Sequence, residues 1–292
     1  MVGLTVVAFG TSAPELIISL KSALGGVPNI AMGNVVGSNI CNLTLVMGAT
    51  AVIYPIYIEE DSMKIDWVVT IGASGLLYFF ISKDFLINRF EGIIFVMVLI
   101  IFTYFLIEKS RRETRDKIRE KLGIDPDEEI PKISQKGLFK EIIILILGSL
   151  GLFFGAQWFV DSASNIAGEL GVSDRFIGLT IVSLGTSLPE LVASGMAALK
   201  KNTDMAMGNL LGSNIFNILS ILGFTSIVTD IEVSETIVNQ DIYWMFAATI
   251  LVLPMMYTRR RISKSEGFIL LLFYAGYMYW LISSGDIKNL PI

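Results

Sequence analysis

Two short polar sequences lie inside long apolar stretches of the chain, and their residue types suit the binding of cations. The first is residues 10–15 (GTSAPE), and the second is residues 185–190 (GTSLPE). Each contains a proline, which has no N–H and clashes with the carbonyl four residues earlier, so each should interrupt a helix. Glu15 and Glu190 therefore place carboxylates beside backbone carbonyls that have lost their helical partners. Oxygen ligands of this kind are preferred by hard cations such as Ca²⁺.

The two sequences belong to a longer internal repeat. Residues 2–48 and 177–223 align without a gap, and roughly half of the aligned positions are identical. Each copy contains a second shared sequence, at residues 33–42 (GNVVGSNICN) and 208–217 (GNLLGSNIFN). Because residues four apart share a helix face, Ser38 should lie beside Asn42, and Ser213 beside Asn217. The repeat predicts four interrupted helices that surround one site, with the second helix interrupted at its glycines, Gly33 and Gly37.

The elements that must position these residues are membrane helices. Hydrophobic residues make up 53% of the 292-residue chain, and the mean hydropathy is +0.66. Apolar runs such as residues 93–107 and 142–154 have no polar face, as expected of membrane spans. We predict an all-α integral membrane protein with broken helices at the central site. Nine helices are predicted, at about residues 2–24, 30–56, 65–81, 90–107, 138–168, 176–200, 205–228, 237–257 and 266–283.

The distribution of charge predicts the topology. Lysine and arginine are concentrated at residues 109–121, 200–201 and 259–264, which places these segments in the cytoplasm, whereas the acidic segment 230–241 falls outside. The cell-membrane protein would then comprise a first repeat (residues 1–107, four helices), a charged cytoplasmic linker (108–136) and a second repeat (137–292, five helices) with its C-terminus outside. The two repeats run in opposite directions, which is typical of secondary transporters. Symmetry also predicts a helix before residue 2, to match the helix at 138–168.

The chemistry that these residues predict is ion exchange. A carboxylate at the centre of a span costs from about 2.5 to more than 10 kcal/mol, and no basic side chain in the surrounding spans compensates Glu15 or Glu190. Two carboxylates would neutralise one Ca²⁺, or would bind Na⁺ or protons instead. Mutually exclusive occupancy, with access that alternates between the two sides, describes an antiporter. A channel would need a continuous pore, and the sequence has no histidine, no nucleophile elbow and no soluble catalytic domain. We therefore expect no enzyme activity, no cofactor, no nucleic acid and no obligatory protein partner.

The doubled GTSxPE and GNxxGSN sequences resemble the two α-repeats of the Ca²⁺/cation antiporters, specifically the prokaryotic sodium/calcium exchangers. The resemblance implies ten helices in two inverted halves, with Na⁺/Ca²⁺ exchange at four central ion sites. Glu15 and Glu190 would then bind Ca²⁺ with Thr11 and Thr186. The remaining ligands implied are the hydroxyls of Ser12, Ser187, Ser38 and Ser213 and the carbonyls of Ala8 and Ser183 at sodium sites, with Asn42 and Asn217 lining the centre. Several exchangers carry an aspartate where Asn217 stands, so this site would be less negative than theirs.

Two alternatives stay open at this point. A Ca²⁺/H⁺ antiporter of the same fold would use the same two glutamates, and the Thr-Ser pairs favour sodium because protons would not need them. The second alternative is a chain that binds ions without transporting them. The resemblance implies that the first helix of each half forms the sliding gate, and we expect the first half of this sequence to lack that helix.

Overall fold

The computed structural model describes residue 8, residues 10–122 and residues 138–284. Within these residues, seven helices are long and apolar enough to cross a membrane: Pro28–Ile53, Ser62–Asp84, Arg89–Glu113, Asp174–Leu199, Thr203–Val228, Ile237–Arg260 and Lys264–Ser283. The all-α membrane fold is therefore confirmed, while the count of nine helices stays a prediction.

Short irregular turns divide the long helices into segments. The α-helical segments are α1 (Ala13–Leu24), α2 (Pro28–Cys41), α3 (Met47–Ile53), α4 (Trp67–Asp84), α5 (Arg89–Leu122), α6 (Leu138–Glu169), α7 (Asp174–Ile177), α8 (Ser183–Thr186), α9 (Leu188–Leu199), α10 (Thr203–Phe216), α11 (Gly223–Val228), α12 (Ile242–Tyr257) and α13 (Lys264–Ser283). Turns of π-helix join α2 to α3 (Asn42–Val46), α7 to α8 (Gly178–Val182) and α10 to α11 (Asn217–Leu222), and precede α4 (Ser62–Asp66) and α12 (Ile237–Asp241). A 3₁₀ turn, Thr258–Arg260, follows α12. Such π turns are rare, and they are frequently found at functional sites.

The charged segment after the fourth predicted span begins as a helix. Helix α5 continues to Leu122, well beyond the apolar part of its sequence. Residues 123–137, which include the rest of the predicted linker, lie outside the described residues.

Two pairs of very short strands tie the loops together at opposite ends of the helices. Strand β1 (Ile56–Tyr57) pairs antiparallel with β4 (Arg261–Ile262), and β2 (Leu86–Ile87) pairs antiparallel with β3 (Ile231–Glu232). Strand β1 precedes α4 and β2 follows it. Because α4 has 18 residues and rises about 1.5 Å per residue, the two strand pairs lie at opposite faces of the molecule.

The structure extends the internal repeat beyond the residues that align by sequence. Residues that differ by 175 in number, such as Gly48 and Gly223, stay equivalent to the end of the described chain. Strands β1 and β3 obey this offset, as do β2 and β4 and the π turns that precede α4 and α12. Two glycine pairs also obey it. A Cβ on Gly48 would lie 2.8 Å from the carbonyl oxygen of Gly267, and one on Gly92 would lie 2.9 Å from that of Gly223. The two halves therefore share one packing pattern.

The predicted interruption at Gly33 and Gly37 is wrong. Helix α2 is continuous through both glycines, and the irregularity begins later, at Asn42. The glycines instead allow a close approach, since a Cβ on Gly37 would lie 2.7 Å from the carbonyl oxygen of Leu179. Small residues of this spacing commonly let membrane helices pack backbone to backbone. This contact brings α2 against the π turn that leads into α8.

The interior of the bundle lies around α2 and the π turn after α10, where Met32, Leu77, Phe95 and Leu219 are buried. By contrast, large apolar side chains on α5 and α13, such as Phe90, Tyr104 and Tyr279, are exposed. An apolar exterior around a polar centre is the arrangement expected of a protein that is solvated by lipid.

Candidate functional site

The two prolines produce equivalent breaks in the two halves. Ser12 (φ −85°, ψ 6°) precedes α1, and Ser187 (φ −81°, ψ 0°) precedes α9, so neither residue has regular helical geometry. The helix resumes directly after each serine, with the proline in its first turn. Glu15 and Glu190 also lie in these first turns. A helix N-terminus carries a partial positive charge, which favours a carboxylate at that position.

All the residues predicted to form the site are buried. Both carboxylates are 0% exposed, and no member of the set exposes more than 8% of its surface. The set comprises Ala8, Thr11, Ser12, Glu15, Ser38, Asn42, Ser183, Thr186, Ser187, Glu190, Ser213 and Asn217.

Hydroxyls from two different segments converge on Glu190. Ser12 Oγ, in the first half, donates a hydrogen bond of 3.2 Å to Glu190 Oε1. Ser213 Oγ, in α10, donates to the same oxygen at 3.3 Å. Residues from both halves thus surround one carboxylate, as the resemblance implies.

Several other polar side-chain atoms at the centre lack hydrogen-bond partners among the described residues. These atoms are both carboxylate oxygens of Glu15, Oε2 of Glu190, Oγ of Ser187 and the side-chain O and N atoms of Asn42 and Asn217. Glu15 lies within electrostatic range of Glu190. Burying a polar group without a partner is costly, so such groups are rare in proteins unless they bind something. The unpaired oxygens at this position are those that a cation would need.

Two threonine–asparagine contacts join the halves around these carboxylates. Thr186 Oγ1 donates to Asn34 Oδ1 at 3.1 Å, and the equivalent Thr11 Oγ1 donates to Asn209 Oδ1 at 3.4 Å. Ser38 Oγ also donates to Asn34 Oδ1, at 3.2 Å, and lies 3.4 Å from Thr186 Oγ1. Each contact between threonine and asparagine crosses from one repeat to the other, so the site exists only where the two halves meet.

Asn34 and Asn209 belong to the repeated GNxxGSN sequences, which by themselves allow these asparagines to be ligands or interhelical packing residues, whereas the serines behind them were not predicted. Asn34 Nδ2 donates to Ser19 Oγ at 2.9 Å, and Asn209 Nδ2 donates to Ser194 Oγ at 3.0 Å. These bonds orient each amide so that its oxygen faces the threonine. A signal for the serines was present, since each one is identical in both copies and lies one helical turn after its glutamate.

The carbonyls predicted as sodium ligands already accept hydrogen bonds. Ala8 O accepts from the Ser12 amide at 3.0 Å and from Thr11 Oγ1 at 3.2 Å. Ser183 O accepts from the Ser187 amide at 3.1 Å and from Thr186 Oγ1 at 3.4 Å. Each threonine has one hydroxyl hydrogen, which is shared between this carbonyl and an asparagine oxygen, so the threonine is the weaker of the two donors to the carbonyl.

The donor set at the centre consists of oxygen ligands with two carboxylates. No group of three or more His, Cys, Asp or Glu side chains placed to hold a metal ion occurs within the described residues. In that part of the chain the only buried basic side chain is Arg175, which pairs with Asp241 rather than with either glutamate. Two carboxylates with neutral hydroxyl and amide oxygens suit hard cations whose charges sum to about +2.

Comparison with known proteins places this chain in a family. The family model described as sodium/calcium exchanger protein matches residues 1–108 and 140–283. The chain belongs to the sodium/calcium exchanger family. It is 38% identical over 287 residues to the putative antiporter CaxA of Alkalimonas amylolytica. This alignment covers 97% of this chain and 88% of CaxA. It is 31% identical over 307 residues to the sodium/calcium exchanger MaX1 of Methanosarcina acetivorans, over 95% of this chain and 87% of MaX1.

Solved structures of this exchanger family have the same fold. The sodium-calcium exchanger NCX_Mj superposes with a TM-score of 0.72 at 28% sequence identity, and the match covers 95% of this chain and 85% of NCX_Mj. That crystal of NCX_Mj was soaked with 10 mM Na⁺ and zero Ca²⁺. The resemblance inferred from the repeats is confirmed, and this exchanger is a multi-pass membrane antiporter of cations.

Proposed function

We propose that this exchanger moves Na⁺ in one direction and Ca²⁺ in the other, at one central site built around Glu15 and Glu190. The observation that carries the proposal is the pair of fully buried carboxylates with three oxygens that have no hydrogen-bond partner among the described residues. The names of MaX1 and NCX_Mj support Na⁺ and Ca²⁺ as the two ions.

The two ions compete because they need the same oxygens. Ca²⁺ takes about six to eight oxygen ligands and would use both carboxylates together with amide and hydroxyl oxygens. Na⁺ ions would divide the set, with one near Glu190, Ser12 and Ser213, whose oxygens already converge. Occupancy by Ca²⁺ therefore excludes occupancy by Na⁺, and this exclusion couples the two fluxes.

Alternating access follows from the two-fold construction of the site. We infer that residues 1–107 and 137–292 form the inverted halves, joined by the charged segment 108–136. The contacts between the halves at the centre are hydrogen bonds of 3.1–3.4 Å between side chains. Contacts of this length can break and re-form when one half moves against the other.

We infer that the face with strands β1 and β4 is cytoplasmic. Arginines 259–261 lie there, and Arg260 Nη2 contacts Glu60 Oε1 at 2.7 Å. Lys109 of α5 pairs with Asp61 at the same face, at 2.5 Å. Basic loops remain in the cytoplasm during membrane insertion.

The sidedness can be tested because the sole cysteine, Cys41, is buried. Lys200→Cys and Asp230→Cys each place a thiol at an exposed position, at opposite faces. A membrane-impermeant maleimide should label Asp230→Cys in intact cells and Lys200→Cys only after lysis. The reverse pattern would invert the proposed topology.

The site assignment can be tested by flux in reconstituted vesicles. Glu15→Gln and Glu190→Gln each remove one charge and keep the side-chain volume, and each should abolish Ca²⁺ uptake driven by internal Na⁺. Glu91→Gln is the matched control, since Glu91 is a buried carboxylate that accepts from the Asn88 amide at the start of α5. It should transport normally. Full transport by either central variant would exclude that glutamate from the site.

A further inference from the structure

A buried ion pair lies outside the proposed ion site. Arg175 Nε donates to Asp241 Oδ2 at 2.7 Å, and Arg175 Nη2 donates to Asp241 Oδ1 at 2.7 Å. The two side chains are 8% and 0% exposed. The pair joins α7, which leads into the second break, to the π turn that precedes α12. The sequence predicted neither the burial of these two residues nor their pairing.

A buried ion pair adds little net stability to a contact between two helices. Removing both charges from water costs several kcal/mol per ion, and hydrophobic residues of similar volume are often equally stable or more stable at such positions. The best-documented role of buried ionic groups is instead to select one register. The bidentate geometry fits that role, because a planar guanidinium accepts a carboxylate in one orientation.

The segment after Arg175 needs its register fixed. The π turn Gly178–Val182 separates α7 from α8, which ends at Thr186 just before the second break. Converting a π turn into an α turn shifts the register by one residue and rotates the next helical segment, α8, by about 100°. Such a rotation would take Thr186 away from Asn34, which it contacts at 3.1 Å.

The backbone of Arg175 is also held against α2. A Cβ on Gly33 would lie 3.1 Å from the carbonyl oxygen of Arg175 and 3.1 Å from Cα of Gly178. The side chain of Arg175 is therefore held by Asp241, while the backbone of Arg175 packs on α2, the helix that carries Asn34. These two constraints together define where the segment starts and which face it turns toward the site.

We propose that Arg175 and Asp241 are positioning residues for the ion site, which hold the π-turn segment in the register that presents Thr186 to Asn34 and the second break to the ions. The inference rests on the proposed function. Neither side chain belongs to the proposed ion site. The ion pair acts through Thr186.

The decisive variant replaces both charges with apolar groups of similar size, Arg175→Met together with Asp241→Leu. Because no buried charge remains unpaired, this protein should fold with a melting temperature close to that of the wild type. Its apparent dissociation constant for Ca²⁺, measured by isothermal titration in detergent, should rise about two- to tenfold, the effect of one lost hydrogen bond at the site. The matched control is Asp161→Asn, which breaks the exposed pair between Asp161 and Lys21 and should bind Ca²⁺ like the wild type.

Two results would overturn the proposal. One is a folded double variant with wild-type Ca²⁺ affinity, and the other is a double variant that does not fold, since the ion pair would then serve stability alone. A second readout does not depend on ion binding. Asn34→Cys with Thr186→Cys should form a disulfide readily in the otherwise native chain, and slowly when the Arg175–Asp241 pair is replaced. If the wild type binds no Ca²⁺ while this cross-link still depends on the pair, the proposed function fails and the positioning role stands.

Discussion

Gly37→Ala tests whether the close approach of two helices sets the geometry of the site. The added Cβ would lie 2.7 Å from the carbonyl oxygen of Leu179 and 2.8 Å from Cβ of Ser183. Neither atom belongs to a flexible side-chain end, so neither can move away alone. The two helices must separate by about 0.7 Å to restore ordinary contact at about 3.4 Å.

The separation should weaken both stability and ion binding. Overpacking costs about 1–3 kcal/mol, which exceeds the gain of about 0.5–1 kcal/mol from alanine in a helix, so we expect a net loss of about 1–2 kcal/mol. Residue 38 of the proposed site is next to the substitution and would move with its helix. The separation of the helices would also lengthen the contact from Thr186 Oγ1 to Asn34 Oδ1 from 3.1 Å beyond hydrogen-bonding range. A hydrogen bond is worth about 0.5–1.5 kcal/mol, which corresponds to a loss of Ca²⁺ affinity of about two- to tenfold.

The assay is Ca²⁺ titration by calorimetry, together with thermal unfolding of the purified protein. Gly72→Ala is the matched control, because a Cβ there would have no heavy atom within 4 Å. That variant should bind Ca²⁺ normally and unfold at the wild-type temperature or above it. If Gly37→Ala matched the wild type in both stability and Ca²⁺ affinity, the packing of α2 on the π-turn segment would not control the site.

Other side chains give further expectations. Tyr277→Phe removes a buried hydroxyl that has no hydrogen-bond partner among the described residues, at a position whose repeat equivalent is Phe102, so the unfolding temperature should stay level or rise. A clear fall in that temperature would show that the hydroxyl has a partner. Lys64 and Arg260 lower the pKa of Glu60 through hydrogen bonds and charge, so the stabilisation from this carboxylate is present at neutral pH and is lost as the pH falls through that lowered pKa. Because Glu60 is exposed, Glu60→Gln should change the unfolding temperature little at pH 7 and still less at high salt, and a large fall at both salt concentrations would contradict this.

The sequence predicted which polar residues are buried at the centre, because the repeat reveals symmetry. Glu15 and Glu190, with the serines and threonines around them, stand out as polar residues that appear twice in otherwise apolar sequence. The membrane makes this signal strong, since an uncompensated carboxylate in a span is costly and is therefore rarely accidental. The predicted inversion of the two halves likewise came from the charges of the loops.

Features that depend on packing could not be predicted in the same way. Gly33 and Gly37 suggest a break as readily as a close approach, and the choice depends on whether another backbone lies opposite. The π turn at Asn42 has no sequence signal, because it inserts a residue into a helix without changing the apolar pattern. The pair between Arg175 and Asp241 joins residues 66 positions apart. From the sequence, a charged residue near a predicted helix end is interpreted as solvent-exposed, so this pairing could not be predicted.

The central claim is that internal Na⁺ drives Ca²⁺ uptake through the site at Glu15 and Glu190. The most direct measurement is ⁴⁵Ca²⁺ uptake into proteoliposomes loaded with Na⁺, compared at matched pH with vesicles loaded with choline and with vesicles that carry only a proton gradient. We predict uptake in the Na⁺-loaded vesicles alone, and its loss in Glu15→Gln and Glu190→Gln. Uptake driven by the proton gradient without Na⁺ would contradict the account and identify a Ca²⁺/H⁺ antiporter.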